Sequence, residues 1–243
     1  MSQTTSADQP LTVVLVHGAF ADSSSWNGVI GRLQAHGVQV LAVANPLRGI
    51  SHDSAYAASV ISQIPGPVLA VGHSYGGAVI TNAATGAGNV RGLVYVAAFA
   101  PDEGETLGEV EAGSKDSVLN TALVPHQYPT DGGRATEFSI DPAKARDAFA
   151  ADLSDAEAAL IGVIQRPTSE LAFGEPSGPP AWRSLPSWAV VATGDKAAGT
   201  DVVRAHADRA GAQITEVEGS HVIMISQPQV IAEVIEAAIA EVS

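Results

Sequence analysis

Ser74 stands in Gly72-His73-Ser74-Tyr75-Gly76, a G-x-S-x-G arrangement. An apolar run (PVLAV) precedes it and small residues (GGAVITNAATG) follow, so the stretch predicts a nucleophile held on a sharp strand-to-helix turn. Side chains two positions either side of the serine would collide in such a turn, which accounts for the two glycines. The helix that follows points its free N–H groups at charge developing beside the serine. A turn serine with no chemistry is the plain alternative, and the flanking strand and helix argue against it.

A hydroxyl is a poor nucleophile until a base takes its proton. Of the seven histidines, His221 in EVEGSHVIMISQP falls between the last predicted strand and the last predicted helix. Parallel strands all end on one side, so His221 and Ser74 belong to the same sheet edge. His73 is expected to point away from the serine, His36 ends a helix, and His52, His126 and His206 fall on loop or exposed helix positions. The base in turn needs an acceptor to fix its tautomer. Asp195, in Thr193-Gly194-Asp195-Lys196 after SWAVVA, supplies one and completes the chain order Ser, Asp, His. Asp102, just after the preceding strand, competes for the role. A tetrahedral oxyanion needs two donors: the Tyr75 amide is one, and the Ala19 amide in VHGAFADSSSW is the expected second, with Phe20 the alternative. His17 reads as a buried hydrogen-bonding residue that stabilises that loop. The chemistry of this set is acyl transfer through a covalent serine intermediate.

The elements that must position these residues form an α/β pattern. Predicted strands are Leu11–Val16, Val38–Val43, Val68–Val71, Gly92–Val96, Trp188–Ala192 and Gln213–Val217, apolar for most of their length, as in a sheet covered on both faces. Between them Trp26, Val29, Ile30 and Leu33 repeat at helical spacing up to a terminating Gly37, and Ala57, Val60, Ile61 and Ile64 do the same. The final helix opens on SQPQ, a capping-box pattern with an early proline, and turns Ile231, Val234, Ile235 and Ile239 inward. Between Val96 and Trp188 no convincing strand appears. Asp141 with Pro142, and Ser154 with Glu157, mark helix starts there instead. The reading is a tail over residues 1–10, a core of 11–101 and 186–243, and a helical cap inserted over 102–185, after the fourth strand of a mostly parallel sheet of about six.

Twelve basic against twenty-six acidic residues give a net charge of −14, and the basic residues form no stripe, which argues against a nucleic-acid partner. No apolar run approaches the roughly 18 residues of a membrane span. The start, MSQTTSADQP, lacks the basic-then-apolar order of a signal peptide, so a cytoplasmic location is expected. The chain has no cysteine, which removes disulfides, thiolate nucleophiles and cysteine-based zinc sites. Neither G-x-x-x-x-G-K-[ST] nor a G-x-G-x-x-G after the first strand is present, against nucleotide-dependent chemistry. The expected partner is a small-molecule ester, with a homodimer as the assembly considered.

The segments VLVHGAFADSSSW, VGHSYGGAV, LVYVAAFAPDEGE, WAVVATGDKA and EVEGSHVIMISQP together resemble the α/β-hydrolase superfamily over nearly the whole chain. More narrowly they resemble its small-esterase branch, which includes plant methyl esterases, hydroxynitrile lyases and bacterial carboxylesterases of pyrethroid-hydrolase type. The resemblance implies the α/β-hydrolase fold, a Ser-His-Asp hydrolase without cofactor or metal, and a helical cap over the pocket, and it favours Asp195 as the acid. Lyase members carry threonine at the position of Gly18 and lysine at that of Val222. Both departures favour ester hydrolysis over cyanohydrin cleavage, which stays a rival together with a receptor-like homologue of little turnover. Phe20, Phe138, Phe149, Phe173, Trp182 and Met224, with Tyr75, are candidates to line a pocket for small to medium apolar or aromatic esters.

Overall fold

The computed structural model describes residues 9–243, so most of the expected tail, residues 1–8, lies outside the described residues. The first half alternates strand and helix: β1 (Thr12–Val16), α1 (Asn27–Ala35), β2 (Gln39–Val43), α2 (Ile50–Ser62), β3 (Val68–His73), α3 (Tyr75–Ala83) and β4 (Val90–Val96). An insertion follows, with α4 (Leu107–Ala112), β5 (Leu123–Thr130), β6 (Gly133–Ile140), α5 (Ala145–Phe149), α6 (Asp155–Ile164), β7 (Thr168–Ser169) and α7 (Leu171–Gly174). The chain then returns through β8 (Ser187–Ala192), α8 (Thr200–Arg209), β9 (Gln213–Val217), α9 (Ile223–Ser226) and α10 (Pro228–Val242).

Six strands form one sheet in the order β2-β1-β3-β4-β8-β9, every pair parallel. Central β1, β3 and β8 are buried along their whole length, whereas the edge strands β2 and β9 are half-exposed. That contrast explains why the central strands read as unbroken apolar runs. Helix α1 turns Val29 and Leu33 into the core and α10 turns Ile231 and Ile235, as their spacing predicts. Gly37, with φ +78°, ends α1 in the left-handed conformation. The start of α10 departs from the expected capping box: Gln227 is its N-cap without a side-chain bond, and only the early Pro228 is as read.

The insertion also differs from the sequence reading. Ser154 and Glu157 form the reciprocal capping box of α6. Helix α5, however, starts at Ala145 with Lys144 as N-cap rather than at Asp141, whose Oδ1 accepts from the Ala143 amide in the turn before it. Yet β5, β6 and β7 make a second, antiparallel sheet where no strand was expected. Pro125 and Pro129 hide the hairpin, because proline argues against a strand that must donate hydrogen bonds. Both sit on β5, an edge strand whose alternate N–H groups face away from the sheet, and Asp131-Gly132 supplies the two-residue turn between Thr130 and Gly133. No helix among the described residues is long and apolar enough to cross a membrane.

Candidate active site

Because the six strands are parallel, the segments after them converge on one edge. Four non-glycine residues with positive φ follow the first four strands there: Phe20 (60°), Leu47 (61°), Ser74 (52°) and Ala97 (44°). Backbone strain of this kind costs roughly 1–3 kcal/mol per residue and persists where the surroundings over-determine it. Ser74 is the N-cap of α3 and only 6% exposed. A Cβ on Gly72 would lie 2.5 Å from the Gly76 carbonyl oxygen, and one on Gly76 would lie 2.3 Å from that of Val16. The turn closes against neighbouring backbone, so both positions demand glycine.

Asp195 and His221 lie beyond β8 and β9, each 1% exposed. His221 Nδ1 donates to Asp195 Oδ2 at 2.8 Å. Asp195 Oδ1 accepts from the amides of Ala197 and Ala198 at 2.9 and 3.0 Å, which fixes the carboxyl in place. With Nδ1 committed as a donor, Nε2 is the nitrogen left to accept a proton. His221 and Ser74 line one small cavity together with Ala19, Phe20, Tyr75 and Phe149. Asp102 is elsewhere: its Oδ1 accepts from Arg183 Nη2 at 2.5 Å on the surface, so the rival acid does not meet His221.

The two oxyanion candidates face the same cavity. The amides of Ala19 and Tyr75 make no hydrogen bond among the described residues. The Phe20 amide is occupied, donating to Thr168 Oγ1 at 3.2 Å. Of the two candidates in that loop, Ala19 is the one whose amide is free. His17 holds that loop as read: Nδ1 donates to the Gly18 carbonyl and Nε2 accepts from the Asn45 amide, at 2.9 and 3.0 Å. Burial lowers its pKa, in keeping with a neutral ring.

The neighbours of Ser74 are anchored on both sides. His73 Nε2 donates to the His221 carbonyl at 2.9 Å, and the two rings lie 4.7 Å apart. Burial, then the proximity of His221, pushes the His73 pKa well below its usual value. The Tyr75 hydroxyl donates to Asp53 Oδ2 at 2.8 Å, and Asp53, on α2, is fully buried. Burial, and then Asp53, raises the Tyr75 pKa, which keeps the phenol a donor.

Of the aromatic candidates, Phe20, Phe149 and Phe173 line the cavity. Met224 lines a neighbouring groove instead. Phe138 and Trp182 line neither: Phe138 pairs with Thr168 within the small sheet, and the Trp182 indole donates to the Pro101 carbonyl at 3.1 Å. Both pack against the hydrophobic core instead, which corrects their expected pocket role; sequence alone does not separate such packing from a pocket lining. Phe99, Glu111, Leu119 and Ala198 also line the cavity and were not singled out from sequence. His206, expected on an exposed face, is buried and accepts from the Ala100 amide at 3.0 Å.

The cavity is nearly filled. About 10 Å³ is free for a water-sized sphere, against about 310 Å³ in the adjoining groove. Phe20 and Phe149 line both spaces and meet edge to face, 6.4 Å between ring centroids. Leu160, Ile161 and Ile164 of α6 form the groove's far wall.

The model of a family described as the alpha/beta hydrolase family matches residues 13–234. A search of curated proteins returns no match. Among solved structures, polyneuridine aldehyde esterase superposes with a TM-score of 0.78 at 21% identity, covering 95% of this chain and 100% of that one. A pyrethroid hydrolase from Sphingobium faniae JZ-2 gives 0.76 at 21% identity, covering 96% and 98%. A methylesterase from Arabidopsis gives 0.76 at 18% identity, covering 95% and 99%.

Proposed function

This chain belongs to the alpha/beta hydrolase family, and from that premise we propose that it is a serine hydrolase of carboxylic esters. The observation that carries the reading is the buried His221–Asp195 hydrogen bond, with His221 sharing one cavity with Ser74 on its strained turn. In the proposed reaction Ser74 Oγ attacks the ester carbonyl while His221 Nε2 takes its proton. Asp195 holds the imidazole tautomer and stabilises the imidazolium. The amides of Ala19 and Tyr75 receive the oxyanion. His221 then protonates the leaving alcohol, and water, activated by the same nitrogen, releases the acid.

The apolar cavity walls support small to medium apolar or aromatic esters as substrates. The lyase reading gains no support from the first loop. A Cβ at Gly18 would lie 2.7 Å from Ser74 Cβ and 2.9 Å from the His73 carbonyl oxygen, leaving no room for a threonine.

The test is sustained hydrolysis of short p-nitrophenyl esters, measured beside Ser74→Ala, Asp195→Asn and Asp102→Asn. Turnover abolished by Ser74→Ala and cut by about 10³-fold or more in Asp195→Asn, with Asp102→Asn near wild type, is the expected pattern. A single stoichiometric burst would favour the receptor-like alternative, and loss of activity in Asp102→Asn alone would refute the acid assignment.

A further inference from the structure

The cavity holds one acidic side chain besides the proposed triad. Glu111, on α4 of the insertion, lines it and is 5% exposed, against walls otherwise dominated by Phe20, Phe99, Leu119, Phe149 and Phe173. Its Oε1 is 2.9 Å from the Ser117 hydroxyl. Its Oε2 makes no hydrogen bond among the described residues. Oε2 is therefore an acceptor open to a bound molecule, on a side chain set among apolar cavity walls.

The proton inventory around Ser117 defines what that partner must be. Ser117 Oγ has one hydrogen and lies 2.6 Å from the Ala197 carbonyl oxygen, which can only accept. Oγ also accepts from the Leu119 amide at 3.3 Å. With its hydrogen given to Ala197, the hydroxyl bonds Glu111 Oε1 only if the carboxyl donates. All these contacts are satisfied by a protonated Glu111 with its hydrogen on Oε1, which leaves Oε2 as a neutral acceptor. Burial raises the Glu111 pKa on balance; the Ser117 contact and then His221 oppose the rise, and Asp195 adds to it.

Building on the esterase reading, we infer that Glu111 is a specificity-determining residue whose Oε2 accepts a hydrogen bond from a hydroxyl group on the substrate. The favoured substrates are then hydroxy esters, with the hydroxyl on the acyl or alcohol arm within reach of α4, rather than purely apolar ones. A site built to bond a hydroxyl discriminates against the isostere that lacks it, because its own acceptor is then left unpaired. Glu111 touches no reacting atom in this scheme.

Substrate pairs that differ only by hydroxyl against methyl test the inference: methyl lactate against methyl isobutyrate, methyl β-hydroxybutyrate against methyl isovalerate, and the acetate of ethylene glycol against propyl acetate. Methyl alaninate provides an ammonium arm. Each is run with wild type, Glu111→Gln and Glu111→Leu, and the readout is the ratio of kcat/KM within a pair, which is insensitive to the fraction of folded enzyme. Wild type is expected to prefer the hydroxy member of at least one pair by about 10-fold or more. Glu111→Gln, which keeps a neutral acceptor, should retain much of that preference, and Glu111→Leu should bring the ratio to about one. A wild-type ratio near one in every pair, or a preference that survives Glu111→Leu, overturns the inference. Stronger selection for the ammonium ester overturns it too, since that requires an ionised carboxylate. Calorimetric binding of the same pairs to Ser74→Ala, alone and with Glu111→Leu, separates the two readings. Hydroxyl-dependent binding that Glu111→Leu removes, in a protein that turns over no ester, would sink the esterase reading and keep this one. Turnover of esters without hydroxyl selection would do the reverse.

Discussion

Replacing Tyr75 by phenylalanine removes one hydroxyl and tests how the turn that carries Ser74 is held. The phenol donates to Asp53 Oδ2 at 2.8 Å, and Asp53 also accepts from the Arg48 amide at 3.0 and 3.1 Å. A hydrogen bond to a carboxylate contributes about 1.5–3 kcal/mol. Oδ2 keeps its Arg48 contact in Tyr75→Phe and is not orphaned, so the lower end applies, about 1.5 kcal/mol. For a chain of this size that corresponds to a fall of about 3–6 °C in Tm. Asp53→Ala is harsher, because it strands two buried donors, the phenol and the Arg48 amide, and about 2–5 kcal/mol follows. Urea unfolding of both single variants and the double variant gives the coupling energy directly. A coupling near 1.5 kcal/mol is expected. A coupling below about 0.5 kcal/mol would refute the claim that this bond anchors the turn. In the ester assay the same variants should lower kcat more than they raise KM, since the Tyr75 amide is proposed to act on the oxyanion.

Two further outcomes follow from the packing around the cavity. Phe149→Ala should join the groove to the cavity and raise kcat/KM for long-chain over acetyl esters several-fold, at a cost of about 3–5 kcal/mol in urea unfolding; an unchanged chain-length profile would refute the dividing-wall role. His206 has its pKa lowered to about 4 by burial and then by Arg209. Below pH 6.5 the unfolded chain takes up a proton that the folded chain refuses until about pH 4, so stability falls with pH across that window, by up to about 3 kcal/mol. His206→Gln should flatten this part of the stability profile, and an identical acid profile in the variant would refute the assignment.

The residues around Ser74, Asp195 and His221 were legible because short-range rules act on them. Glycines mark the turn, and parallel strands bring their ends to one edge. Glu111 was not legible. It sits in a six-residue helix within an acidic stretch, where exposed carboxyls are the rule, and only the fold of the insertion buries it. The β5–β6 hairpin was hidden by two prolines that matter only if their strand is central, and strand order is a long-range property. Phe138 and Trp182 show the same limit from the other side: an aromatic that packs the cap onto the core is, in sequence, identical to one that faces a substrate. His206 was misjudged because α8 carries its apolar face in Val202, Val203 and Ala207, too short a stripe to show that a histidine shares it.

The contact between His73 and the His221 carbonyl joins residues 148 positions apart. The turn after β3 is therefore tied to the segment after β9 by a contact that only the completed sheet supplies. During synthesis or refolding, a chain can bury most of its sheet and still lack this clasp. Recovery of the proposed ester turnover should accordingly lag the recovery of tryptophan fluorescence, so that the assay reports the last step of folding.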